Sequence, residues 1–238
     1  MNSSKFPMEV KAILIDLDGT LLDTIHDLAD AANRMLTALS MPILPESLIK
    51  TFVGKGLPNL VKRTLTGSLQ ADPDPSLIER AIAEFERQYM TVLTQEILHF
   101  PGVEEGMKLM HDQGYLLACV TNKSERFALP LLEASGLAHH FSLVICGDTL
   151  PRKKPDPMPL LHAAKRFGVE PYEMVLIGDS VNDFEAARAA GCAVFIVPYG
   201  YNEGHDATKL PADAIVPGLV EATKLLKNTG SPRGGDRA

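Results

Sequence analysis

Two aspartates separated by a single residue, Asp16 and Asp18, follow the mostly apolar, β-branched stretch Val10–Ile15. Such a stretch is typical of a strand buried on both faces. Gly19 and Thr20 interrupt the strand pattern, so the two carboxylates are expected at its carboxyl end, where open α/β proteins bind ligands. Residues two apart in a strand point to the same side, which would allow both side chains to act at one site.

A pair of carboxylates in this position is suited to phosphoryl transfer. Aspartate is a competent nucleophile toward phosphorus, and a neighbouring carboxyl group can protonate the leaving alkoxide. Because two such close negative charges repel each other, a divalent cation is expected to hold the site together. The alternative is a solvated strand end with an Asx turn, and the choice between the two depends on motifs further along the chain.

Two polar motifs follow at the ends of later apolar stretches. Thr121 and Asn122 end one of them, and a hydroxyl with a backbone N–H there could bind a phosphoryl oxygen or simply form a turn. Lys154 lies in a Pro-rich loop, where a fixed ammonium could offset the charge of a transferring phosphoryl group. The alternative for Lys154 is an ordinary solvated loop.

A second predicted strand also ends in acids, Asp179 and Asp183. Either Asp179 or Ser180 could merely cap the following helix. Mg²⁺ prefers a few carboxylates combined with waters and phosphate oxygens over a full protein cage. Acids at the ends of two predicted strands therefore indicate a magnesium site shared between them.

The sequence D-L-D-G-T-L-L-D-T, which begins at Asp16, together with the three later motifs in this order, resembles the haloacid dehalogenase superfamily of phosphatases. The resemblance implies that Asp16 is the nucleophile and Asp18 the general acid and base. It also implies that Thr121, with Asn122, binds phosphate. Lys154, which immediately precedes a proline, would stabilise the nucleophile and the phosphoryl group.

The resemblance also implies a metal site and an outer residue that supports it. Asp16, the Asp18 carbonyl and Asp179 would hold Mg²⁺. Asp183 would hold a water ligand or Lys154.

The elements that must position these residues alternate between strand and helix patterns after His99. Predicted strands cover the ranges Leu116–Thr121, Leu143–Cys146, Met174–Ile177, Ala193–Val197 and Ala214–Val216. Predicted helices cover the ranges Gly102–Gln113, Glu125–Ser135, Pro157–Phe167 and Val181–Ala190. Such alternation predicts a parallel sheet with right-handed crossovers.

The segment between the first strand and His99 shows only helical periodicity, including a long amphipathic helix from Ser76 to Leu93. A helical block inserted after one strand cannot belong to the sheet layer. The predicted fold is therefore α/β, with a Rossmann-like parallel sheet core and an inserted small helical cap domain. Core residues would be 1–22 and 99–227, cap residues 23–98, and 228–238 would form a disordered tail.

Gly54, Lys55 and Gly56 form a loop in the predicted cap. Glycines let a backbone approach a ligand closely, and a lysine between them could meet the end of a substrate distant from its phosphate. We therefore predict that this loop sets specificity, against the alternative of a plain surface turn.

Composition excludes some classes of partner. The 238 residues carry a formal net charge of −7, which argues against nucleic acid or an anionic membrane. Three widely spaced cysteines indicate neither a disulfide framework nor a zinc site. With no apolar leader at the amino terminus, a cytoplasmic monomer or homodimer that binds a small phosphorylated metabolite is expected.

The function implied is Mg²⁺-dependent hydrolysis of a small phosphate monoester through an aspartyl-phosphate. The stretches Lys153–Pro157 and Tyr199–Gly204 resemble a branch of the family that hydrolyses 2-phosphoglycolate. A sugar-phosphate or nucleotide phosphatase and a phosphosugar mutase remain alternatives, whereas Asp18 argues against the dehalogenase branch. From a different class, an idle fold that binds a phosphorylated ligand or a protein partner remains an alternative.

Overall fold

A parallel sheet lies at the centre of the protein, in a computed structural model that describes residues 6–230. The strands are β1 (Met8–Val10), β2 (Ala12–Ile15), β3 (Leu116–Val120), β4 (Leu143–Ile145), β5 (Met174–Gly178), β6 (Ala193–Ile196), β7 (Ala214–Ile215) and β8 (Leu226–Asn228). Six of these form the main sheet in the order β4-β3-β2-β5-β6-β7. All five pairings within it are parallel. β1 and β8 form a separate parallel pair.

Helices cover both faces of this sheet. They are α1 (Ile25–Ala38), α2 (Glu46–Lys50), α3 (Leu57–Thr66), α4 (Pro75–Val92), α5 (Val103–Asp112), α6 (Glu125–Ala134), α7 (Met158–Phe167), α8 (Val181–Ala190) and α9 (Leu219–Lys224). Side chains of β2 alternate between the two faces, as the pleat requires. Ala12 and Leu14 pack with residues of α7 and α8, whereas Ile13 and Ile15 pack with residues of α5, α6 and α9. The predicted α/β fold is confirmed.

The first four helices form the insertion between β2 and β3. α1 packs along α4, and the buried rings of Phe85 and Tyr89 lie on the inner side of α4. Two chain segments connect this insertion to the sheet. They meet where Leu22 pairs with His99, and the Asp23 N–H donates to the Leu98 carbonyl at 2.8 Å. The cap boundaries predicted from the sequence, residues 23 and 98, lie beside this contact and stay a prediction.

Two differences from the predicted elements involve the ends of the chain. The predicted strand Val10–Ile15 is interrupted at Lys11, because the chain leaves the β1–β8 pair there and enters the main sheet as β2. Asn228, assigned by the sequence to a disordered tail, ends β8 and pairs with Val10. The rest of that predicted tail from residue 231 lies outside the described residues.

Two further features of the fold concern the apolar character of its helices and the burial of its cysteines. Among the described helices, none has the length and apolar character that crossing a membrane requires. The three cysteines, Cys119, Cys146 and Cys192, are buried as free thiols.

Candidate active site

The carboxyl ends of the central strands bring the predicted acids together. β2 lies between β3 and β5, with Ile15 opposite both Cys119 and Ile177. Asp16 therefore leaves the sheet beside Asp179, which follows β5, and beside Thr121, which follows β3. This edge of the sheet is where parallel α/β folds place ligands.

Asp16 has one fixed carboxylate oxygen. Oδ1 accepts a hydrogen bond from the Leu17 N–H at 2.7 Å and lies 3.0 Å from the Lys154 ammonium. Oδ2 accepts no hydrogen bond from the described residues. Burial raises the pKa of Asp16 to about 7, although Lys154 acts in the opposite direction. One oxygen is thus anchored, and the other is left for a ligand.

Lys154 connects Asp16 to Asp183. Its ammonium donates to Asp183 Oδ1 and to the Val120 carbonyl, both at 2.6 Å. Asp183 Oδ2 accepts from the Ser180 hydroxyl at 2.7 Å and from its N–H at 3.1 Å. Burial alone would lower the pKa of Lys154, but Asp16 and Asp183 raise it above its ordinary value. The lysine is held as a buried cation beside Asp16.

Asp179 is positioned by residues from two loops. Its carboxylate accepts from the Thr20 hydroxyl at 2.9 Å and from the Tyr201 N–H at 2.5 Å. Gly19 has a φ of +84°, and a Cβ there would lie 2.4 Å from Asp179 Oδ2. The glycine of the first motif is therefore required both for its left-handed turn and for the close approach of this carboxylate.

The three acids Asp16, Asp179 and Asp183 form a cluster that could attract a divalent metal. Each offers an oxygen, and these oxygens lie within 4.8 Å of one another. Burial, followed by repulsion from Asp183 and Asp16, raises the pKa of Asp179 well above its usual range. A bound cation would relieve this repulsion, and hard oxygen ligands are those that Mg²⁺ prefers.

The Asp18 carboxylate contacts residues other than those that hold Asp16 and Asp179. Its two oxygens lie 3.0 and 3.1 Å from the ammonium of Lys123, and the Thr24 hydroxyl donates to Oδ1 at 2.7 Å. No sequence pattern assigned a role to Lys123, although this lysine directly follows the Thr121-Asn122 motif. Burial alone would lower its pKa, but Asp18 and then Tyr89 raise it above the ordinary value.

The two predicted phosphate ligands have different surroundings. Both Thr121 and Asn122 line the cavity at this edge of the sheet. The Asn122 amide donates to the carbonyls of Gly54 at 2.8 Å and Lys154 at 2.9 Å. The Asn122 amide thus joins the inserted helical segment to the loop of Lys154. Among the described residues, the Thr121 hydroxyl accepts a hydrogen bond from the Lys123 N–H alone, at 3.2 Å.

Comparison with known proteins places this arrangement in a family. Residues 13–197 match the family described as haloacid dehalogenase-like hydrolase. This chain belongs to that family. The matched range contains every acid, threonine and lysine of the four predicted motifs.

Relatives within this hydrolase family share nearly the whole chain. A phosphoglycolate phosphatase of Nitrosospira multiformis is 55% identical over 94% of this chain and 99% of its own. One of Thiobacillus denitrificans is 51% identical over 93% and 97%. A solved structure described as a predicted phosphoglycolate phosphatase from Haemophilus somnus has a TM-score of 0.86 and 33% identity, covering 91% of this chain and 97% of that one.

The cavity of this hydrolase lies between the sheet edge and the helical insertion, with a volume of about 50 Å³. Its polar lining comes from the core and includes Asp16, Asp18 and Lys123. Its apolar lining comes mainly from the insertion, which contributes Leu28, Val53, Leu57, Leu60, Phe85 and Tyr89. Periodicity identified several of these as buried helix positions, but not as cavity walls.

The cap loop divides between the cavity and the surface. Gly54 and Gly56 line the cavity, and Gly56 has a φ of +81°, a conformation that L side chains rarely adopt, with the Asn122 carbonyl oxygen 3.1 Å from where a Cβ would lie. Lys55 does not line the cavity. It is 39% exposed, and its ammonium lies 3.1 Å from Glu203. Lys55 thus contacts the loop after β6, whereas the sequence predicts that it contacts the substrate.

Proposed function

We propose that this chain hydrolyses 2-phosphoglycolate to glycolate and phosphate, in a Mg²⁺-dependent reaction that passes through an aspartyl-phosphate on Asp16. The observation that carries the proposal is the geometry of Asp16 beside the buried cation Lys154. One carboxylate oxygen of Asp16 is held by the Leu17 N–H and by Lys154, whereas the other, Oδ2, accepts no hydrogen bond from the described residues. The names of the relatives from Nitrosospira multiformis and Thiobacillus denitrificans support the choice of substrate.

In the first step, Asp16 Oδ2 attacks phosphorus while the bond between phosphorus and the ester oxygen breaks. Asp18 donates its proton to the departing glycolate oxygen, because an alkoxide is too basic to leave unprotonated. Thr121 and the backbone beside it hold the phosphoryl oxygens. Lys154 keeps Asp16 oriented and offsets the negative charge that accumulates on the phosphoryl group.

In the second step, the ionised Asp18 takes a proton from a water molecule, whose oxygen attacks the phosphorus of the aspartyl-phosphate. The bond between phosphorus and Asp16 then breaks, so that phosphate leaves and the Asp16 carboxylate is restored. Using one carboxyl group as acid and then as base balances the protons over the two steps.

Asp16, the Asp18 carbonyl and Asp179 would hold Mg²⁺, with Asp183 supporting Lys154 from outside. The metal supplies positive charge that offsets the carboxylates and the phosphoryl oxygens. The helical segment of residues 23–98 acts as a cap that excludes bulk water during the reaction.

A panel of esters tests the proposal. We expect the highest kcat/KM for 2-phosphoglycolate, compared with glucose 6-phosphate, a nucleoside monophosphate and p-nitrophenyl phosphate. Hydrolysis is expected to stop when EDTA is added and to return with excess Mg²⁺. Equal rates on all esters would contradict 2-phosphoglycolate as the preferred substrate. Turnover without metal would contradict the Mg²⁺-dependent mechanism.

A further inference from the structure

Lys123 is a buried cation whose position suits contact with a ligand. Its side chain is 6% exposed. Among the described residues that line the cavity, it is the only cation. Lys154 does not line the cavity, and its ammonium is used by Asp16, Asp183 and a backbone carbonyl. A ligand that carries an anionic group besides its phosphate therefore meets one ammonium inside this cavity.

The surroundings of the Lys123 ammonium strengthen its attraction for an anion. It lies 4.9 Å from the centre of the Tyr89 ring, and the cavity wall continues through Leu60, Phe85 and Phe127. Charges attract each other more strongly where such side chains exclude water. An ammonium has three N–H donors, so it can contact a ligand oxygen while it remains beside Asp18.

The position of Lys123 also suits the connectivity of one class of ester. Asp18 is the residue proposed to protonate the leaving oxygen, and Lys123 lies 3.0 Å from it. In 2-phosphoglycolate, a single carbon separates that leaving oxygen from the carboxylate. A cation beside the proton donor is therefore within reach of an anionic group attached through one carbon.

We propose that the Lys123 ammonium binds the second anionic group of the substrate and thereby selects phosphate esters that carry such a group close to the ester oxygen. The inference deepens the proposed function and, for the carboxylate of 2-phosphoglycolate, rests on it. It moves substrate recognition from Lys55, the lysine that the sequence indicates, to a lysine of the core. In this structure Lys55 pairs with Glu203 and does not line the cavity, so its contact with substrate stays a prediction that the test below includes.

The test compares two primary alkyl esters, 2-phosphoglycolate and ethyl phosphate, which lacks the carboxylate. The measured quantity is the ratio of their kcat/KM values in one preparation, so that the fraction of folded enzyme cancels. Lys123→Met should lower this ratio about ten- to a hundredfold, as expected for losing a hydrogen bond to a charged group. The change should lie mainly in KM for 2-phosphoglycolate. Lys123→Arg, which keeps the charge, should retain most of the ratio.

Two further lysine variants serve as matched controls. Lys165→Met removes an exposed lysine of α7 and should leave the ratio unchanged. Lys55→Met tests the competing assignment in the cap loop. The inference is overturned if Lys123→Met slows both esters equally, since Lys123 then only orients Asp18, or if Lys55→Met alone lowers the ratio.

The wild-type enzyme separates failure of this inference from failure of the proposed function. If it hydrolyses p-nitrophenyl phosphate but not 2-phosphoglycolate, the proposed substrate is wrong. The comparison then moves to esters with a sulfonate or second phosphate, each against its neutral analogue. A preference for the anionic ester that disappears in Lys123→Met supports the role of Lys123, and the absence of any such preference overturns it.

Discussion

The core and the cap contribute to the cavity in different ways. On the core side, charged groups are buried and held in fixed contacts. Lys154 and Asp183 have side chains 1% and 0% exposed and lie 2.6 Å apart. On the cap side, the wall is mostly aliphatic and aromatic, and Lys55 lies outside the cavity, where it pairs with Glu203 of the core.

This difference separates the buried, fixed charges of the core side from the apolar wall of the cap side. Burying charges costs free energy that their mutual attraction only partly offsets, so a buried cluster of three acids and a lysine is explained by its use in a reaction. The apolar cap wall needs no fixed geometry of this kind.

The largest expected effect comes from Asp16→Asn. A neutral amide cannot attack phosphorus to form an acyl phosphate, so hydrolysis of 2-phosphoglycolate should fall below detection while the protein remains folded. Activity and thermal unfolding should be measured on the same sample, with mass spectrometry to verify the substitution. Asp30→Asn, at an exposed acid of α1, is the control and should keep wild-type kcat. Substantial turnover by pure Asp16→Asn would remove Asp16 as nucleophile.

The position of Asp16 was predictable from the sequence because it depends on the strand register. Apolar stretches identify β2 and β5, parallel pairing aligns their ends, and Asp16 and Asp179 each follow directly. The turn at Gly19, whose φ is +84°, adds to the same prediction for Asp16. These are local signals, and the fold follows from their alternation along the chain.

The contacts of the lysines were not predictable in this way. Lys123 reaches Asp18 across 105 positions of the sequence, and Lys55 meets Glu203 in a loop that follows β6. A long, flexible side chain has no periodicity that fixes its direction. The pairing of β1 with β8 was also missed, since it joins short segments from opposite ends of the chain.

Lys154→Met should produce the next largest effect. It tests how much the buried ion pairs of the core side contribute to stability. Removing one partner of a buried ion pair typically costs about 3–5 kcal/mol of unfolding free energy, since Asp16 and Asp183 would remain without their cation. Urea denaturation measures this loss, and kcat should fall with it.

An exposed pair supplies the control for Lys154→Met. Lys108 pairs with Asp112 on the surface of α5, and Lys108→Met should hardly change stability because solvent screens such pairs. Equal losses for both variants would contradict the contrast between buried and exposed charges.

Asp179→Asn should have a smaller effect that depends on the metal. One anionic ligand becomes neutral while its hydrogen bonds from Thr20 and Tyr201 can partly remain. We expect the Mg²⁺ concentration for half-maximal activity to rise about tenfold or more, comparable to losses reported for altered metal surroundings. A Mg²⁺ titration of kcat measures the shift. An unchanged midpoint would assign Asp179 to the turn alone.

The smallest expected effect concerns the contact between cap and core at Glu203. Its carboxylate accepts from Arg63 at 2.7 Å and lies 3.1 Å from the Lys55 ammonium. Arg63 also donates to the Phe52 carbonyl at 3.0 Å, which ties the contact to the cap backbone. Burial alone would raise the pKa of Glu203, but hydrogen bonds from Arg63 and Lys55 lower it.

Glu203→Gln leaves Arg63 and Lys55 without an anion between them, so the closed position of the cap should be less favoured. We expect KM for 2-phosphoglycolate to rise about two- to tenfold, from the roughly 0.5–1.5 kcal/mol of an ordinary hydrogen bond, with the Mg²⁺ midpoint unchanged. Because partly exposed charges are screened by salt, wild-type KM should rise with added NaCl and the variant's should respond less. A shifted Mg²⁺ midpoint in this variant would show that the cap contact and the metal site are coupled. That result would contradict the expectation that the two act independently.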